Sequence, residues 1–118
     1  MEFEILFYKD ERDNSPVELF LLGLVTSNKE LFNKASKGID KLRYRIYHKE
    51  PLSKHIESGL WELRIKAGND ILRIFYTFEK GQVIILLHVF IKKQQKTPRG
   101  ELEIARKRLK EIKMRRLQ

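Results

Sequence analysis

Hydrophobic and polar positions change period several times along the chain, and each change marks an element. In residues 2–8, Phe3, Ile5 and Phe7 alternate with Glu2, Glu4, Leu6 and Tyr8, which predicts a strand. The polar stretch KDERDN closes it. Ser15-Pro16-Val17-Glu18 then reads as a helix start, with Ser15 as cap, Pro16 at the first helical position and Glu18 completing a capping box. Thr26-Ser27-Asn28 breaks that helix. A second begins near Lys29 and carries Leu31, Ala35, Ile39, Leu42 and Ile46 at spacings of three and four, until Pro51 stops it. Residues 52–59 read as a loop. Three strands follow. Leu60–Lys66 sets Trp61, Leu63 and Ile65 against Glu62, Arg64 and Lys66; Ile71–Phe78 is mostly apolar; Gln82–Ile91 is almost unbroken, as a central strand should be. Turns at Ala67-Gly68-Asn69-Asp70 and Glu79-Lys80-Gly81 join them. Thr97-Pro98 opens a last helix, whose stripe is Leu102, Ala105, Leu109 and Ile112.

The order β-α-α-β-β-β-α predicts an α+β fold. A small antiparallel sheet, the N-terminal strand plus a three-stranded meander, packs against a helix hairpin in two layers, with a basic C-terminal helix. The length of 118 residues suits one domain spanning 1–118. The longest apolar run, Val83–Ile91, is far short of a membrane helix, and residues 1–8 are too short and too acidic for a signal peptide. The chain has no cysteine, which excludes disulfides, thiolate metal ligands and a cysteine nucleophile, and it fits a reducing cytoplasm.

Charge adds a direction. The formal net charge is +9, yet residues 1–33 hold three bases and seven acids, whereas residues 92–118 hold eleven bases and three acids. Such polarity points to a polyanionic partner, nucleic acid or an acidic protein segment, with a solvated basic helix as the plain alternative. Cations also interrupt the apolar strands. Arg64 and Lys66 would share a sheet face with Arg73, and with His88, Phe90 and Lys92 of the last strand, while Lys93, Lys96 and Arg99 follow at its exit. Cations and rings on one concave surface suit single-stranded nucleic acid. Arg73 is the most telling, because Leu72, Ile74 and Phe75 around it are apolar. It is either paired with an acid such as Glu62 or held for a ligand. His48 and His55 match no zinc spacing, and there is no phosphate loop, dinucleotide fingerprint or nucleophile elbow.

The stretches LWELRIKAGNDILRIFYTF and VIILLHVFIKKQQKTPRGELEIARKR resemble the RelE/ParE toxin superfamily, and most closely its HigB-like branch, which overlaps the phage-derived Gp49-like proteins. The resemblance implies the toxin of a type II toxin–antitoxin pair: a metal-independent mRNA interferase that cuts mRNA in the ribosomal A site and needs no cofactor. It implies a helix-turn-helix (HigA-like) antitoxin as partner, contact with operator DNA only through that antitoxin, and no membrane. Arg73 would meet the scissile phosphate, Arg64 and Lys93 would share its charge, and Lys66, Lys92, Lys96, Arg99, Lys54 and His55 would hold RNA. The proton acceptor stays open between His88, His55 and a lysine with a depressed pKa. A ParE-like gyrase inhibitor without nuclease activity and a non-catalytic nucleic-acid-binding module are the alternatives; the KKQQK cluster favours the ribonuclease.

Overall fold

The computed structural model describes residues 2–92 and 97–116, the last by its backbone alone. Five strands form one mixed sheet in the order β1-β5-β4-β3-β2: β1 Glu4–Phe7, β2 Ser53–Glu57, β3 Leu60–Ala67, β4 Asp70–Glu79 and β5 Val83–Lys92. The helices are α1 Pro16–Ser27, α2 Lys29–Lys41 and α3 Arg99–Arg116. The α+β class, the meander, the helix hairpin and the C-terminal helix are as the sequence predicts.

Four details differ. First, β1 lies parallel to β5, so the sheet is mixed rather than antiparallel. Second, the expected loop at 52–59 contains β2, an edge strand on β3 whose polar side chains hide its period. Third, α2 stops at Lys41; a single 3-10 turn at Arg45–Tyr47 follows, and Ile46 is left exposed instead of continuing the stripe. Fourth, helices cover both faces of the sheet, so there are three layers rather than two. At the helix starts, Ser15 makes no side-chain cap, whereas Asn28 accepts a hydrogen bond from the Leu31 N–H and caps α2.

The core is split by the sheet. On one face, Val17, Leu21 and Leu24 of α1 and Leu31 and Ala35 of α2 pack on Leu63, Ile65, Leu72, Ile74, Tyr76, Ile84 and Leu86. On the other, Ala105, Leu109 and Ile112 of α3 pack on Leu60, Phe75, Leu87, Phe90 and Tyr8. Because β4 and β5 are apolar at both even and odd positions, both of their faces demand a cover. Among the described residues no helix is long and apolar enough to cross a membrane.

Candidate active site

Side chains directly opposite in a sheet share a face, so the register sets the site. Three rows run across the α3 face: Lys54–Glu62–Phe75–His88, then Arg64–Arg73–Phe90, then Lys66–Ile71–Lys92. The apolar cluster under α3 takes in Phe75 and Phe90. The charged positions gather where that cluster ends. The open concave surface expected from the sequence is thus partly roofed by α3, because the stripe of this helix packs on Phe75 of β4 and on Leu87 and Phe90 of β5.

Arg64 and Arg73 are direct cross-strand neighbours, a repulsive pairing on its own. Glu62 resolves it. Its Oε1 accepts from Arg73 Nη1 at 2.7 Å and from Arg64 Nε at 3.2 Å. Glu62 is 1% exposed and Arg73 8%, so the contact lies nearly out of water. Arg64 is more open and also reaches the exposed Glu50, with Nη1 3.4 Å from Oε1. Glu62 Oε2 and Arg73 Nε are buried without a partner among the described residues. A buried carboxylate with one oxygen spare beside a guanidinium with one N–H spare is costly to keep for stability alone.

Lys92 is buried at the end of β5. Its pKa is lowered, chiefly by burial and then by the positive charge of Arg73, with Arg64 and Lys54 adding and Glu62 opposing. This ammonium therefore gives up its proton more readily than an ordinary lysine. The structure thus gathers Arg64, Arg73, Lys92 and Lys54 about Glu62, with Lys66 exposed on the last row.

Other candidates stand elsewhere. His88 is half-buried and engaged with α3: its Nε2 lies 3.0 Å from Glu101 Oε2, and its Nδ1 lies 3.4 Å from Arg108 Nη1. Since Arg108 can only donate, the network assigns the proton to Nε2 and leaves the ring neutral. Burial lowers its pKa, Glu101 opposes and Arg108 adds. The β5 ladder skips Leu87 opposite Phe75 and Tyr76, a bulge that re-aims this stretch toward α3. His55 pairs with Trp61 and meets it in a tilted ring contact at 4.8 Å, on the α1–α2 face and away from Glu62. Arg99 opens α3 and is exposed. Lys93 and Lys96 lie outside the described residues.

Sequence reasoning raised Glu62 as a possible partner of Arg73 but did not place it in the site, and it passed over Glu50. The signal for Glu62 was there: an acid two residues before Arg64, on the face that Arg73 must share.

A family model described as Phage derived protein Gp49-like (DUF891) matches residues 23–110. The chain belongs to this Gp49-like family. The family is RelE/HigB-type toxin-like. No curated protein matches the chain. The Gp49-like span takes in β2 to β5 and α3 as far as Lys110, so it contains Glu50, Glu62 and every cation gathered about them.

Proposed function

We propose that this Gp49-like chain is the toxin of a type II toxin–antitoxin pair and an endoribonuclease that cuts mRNA on the ribosome. The observation that carries the reading is the cluster itself. Four cations surround one buried carboxylate, which holds two arginines side by side at hydrogen-bond distance.

Cleavage without metal needs three things. The RNA 2′-hydroxyl attacks the adjacent phosphorus and loses its proton. The phosphorane oxygens gain charge. The departing 5′-oxygen takes up a proton, which leaves a 2′,3′-cyclic phosphate on one product and a 5′-hydroxyl on the other. Arg73 and Arg64 supply the charge stabilisation, and Glu62 keeps them oriented before substrate arrives. Lys92, buried beside Arg73 and easily deprotonated, donates to the 5′-oxygen. Glu50, exposed at the rim and bonded to Arg64, accepts the 2′ proton. His88 plays no part in proton transfer, because both of its nitrogens are engaged by α3. The ribosome supplies the rest of the positioning.

A pulse of expression in growing bacterial cells tests this. New transcript ends within codons are expected from the wild type and are absent from Arg64→Gln. Intact transcripts with DNA damage would refute the ribonuclease and point to gyrase; intact transcripts with normal growth would leave a binding module. Co-purification with a small helix-turn-helix protein encoded beside it is expected from a toxin.

A further inference from the structure

A second cationic feature lies behind the cluster. Lys34, Lys37 and Lys41 recur at spacings of three and four, so they share one flank of α2, and all are exposed. Helix and strand approach closely there. A Cβ on Gly38 would stand 2.9 Å from Ile65 Cδ1, so only glycine lets the α2 backbone settle on β3 without displacing that side chain. The lysines consequently overhang Arg64 and Lys66 around a groove of about 220 Å³, whose remaining lining is Leu52, Ile65 and Gly38. Five cations line it and no carboxylate does.

Arg64 is bonded to Glu62 and Glu50, but little neutralises the four lysines. Lys34 has an exposed contact with Glu30 at 3.6 Å, and the Lys41 ammonium lies 5.4 Å from the Tyr47 ring. Lys37 and Lys66 form no ion pair among the described residues. Arginines of α3 behave otherwise. Arg106 binds Glu57 at 2.8 and 3.0 Å, Arg108 donates to the Leu87 carbonyl at 2.8 Å, and Arg115 to that of Lys9 at 2.8 Å. These three arginines are therefore engaged within the fold, whereas the groove lysines keep a self-repelling set of charges.

We infer that the groove between α2 and β3 binds the phosphate backbone of single-stranded RNA, on the same strand that enters the Arg64–Arg73 cluster. This deepens the ribonuclease reading and rests on it for the identity of the strand. Arg64 belongs to both features, so the two are continuous. The lining has no aromatic ring and no amide, so it grips phosphates without reading bases. Lysines suit this as mobile point charges.

The test uses the full chain and a fluorescent, fully 2′-O-methylated RNA of about twelve nucleotides, a length within the span of single-strand sites. This probe cannot be cleaved. Anisotropy is titrated at several salt concentrations for wild type and for Lys34→Gln/Lys37→Gln/Lys41→Gln. The triple variant should bind roughly tenfold or more weakly, and its slope of log K against log salt should lose about two units, near 0.7 for each phosphate contact. A probe of about four nucleotides should bind wild type more weakly than the long probe does, and the triple variant more weakly still. Equal affinity and slope with the long probe would overturn the groove. Tighter binding of a duplex than of the single strand would overturn the single-strand assignment. A wild type that binds as expected yet never cuts RNA removes the ribonuclease reading and keeps the groove.

Discussion

The two faces of the sheet use the same strands for different ends. Toward α1 and α2, the buried side chains are almost all apolar, and the buried tyrosine hydroxyl there is satisfied. Tyr76 donates to Ser53 Oγ at 2.8 Å, and burial pushes its pKa up to about 12. Toward α3, burial covers Glu62, Arg73 and Lys92 as well as Phe75 and Leu87. One face is organised for cohesion. The other gives up cohesion to hold charges in fixed positions, as preorganised electrostatic catalysis requires. Stability and activity should therefore come apart when the faces are altered separately.

The largest effect should come from Glu62→Leu, which leaves Arg73 buried and unpaired. A loss of about 3–5 kcal/mol in denaturant unfolding is expected, together with loss of RNA cleavage. The double variant Glu62→Leu/Arg73→Leu should recover most of that stability, since apolar replacement of a buried ion pair is often neutral or better, and it should recover no cleavage. If the double variant stays as unstable as the single one, the charges hold the fold rather than the function.

Leu86→Ala probes the opposite face. This fully buried side chain belongs to the core under α1 and α2, and its truncation should cost about 2–5 kcal/mol. Cleavage per folded molecule should match the wild type, and a fall in it would show that the faces are not separable.

Lys92→Gln should lower cleavage by about a hundredfold or more, the usual weight of a general acid. It should also raise stability slightly at neutral pH. The sign follows from the lowered pKa: below its native pKa this lysine is charged in both states, and burial penalises the folded one. The penalty is relieved only as pH climbs toward the ordinary lysine range. A variant that is both slower and less stable would contradict this.

His88 should give the smallest effect. Its native pKa lies below the ordinary value of about 6.5. The unfolded chain then binds the proton first, and stability drops as pH falls through that value toward the native pKa. Unfolding measured between about pH 7 and pH 5 should slope less in His88→Asn, with cleavage at neutral pH little changed. A large loss of cleavage would return the histidine to the reaction.

Much of this was legible in the sequence. Alternation in β3 separated Trp61, Leu63 and Ile65 from Glu62, Arg64 and Lys66, and the apolar neighbours of Arg73 marked it as a paired or functional cation. The third layer was legible too, in the double-sided apolar character of β4 and β5, but a helix stripe does not say which face it covers. β2 escaped because Lys54 and His55 leave no contrast between its sides at a sheet edge. The surroundings of His55 and His88 were not legible, for one reason: histidine chemistry is visible in a sequence, whereas the tilted contact of His55 with Trp61 and the Glu101–Arg108 contacts of His88 depend on register and on α3. Conversely, Lys92 carries its altered proton affinity only because folding buries it beside Arg73.

The most direct test of the Glu62-centred cluster is a reconstituted one: purified chain, ribosomes and a defined message, with product ends read by primer extension and end-group chemistry. Wild type should cut and leave a 2′,3′-cyclic phosphate, while Lys92→Gln, melting no lower than wild type, should leave the message essentially intact. Undiminished cutting by that variant, or cutting of a message lacking the 2′-hydroxyl at the scissile nucleotide, would contradict it.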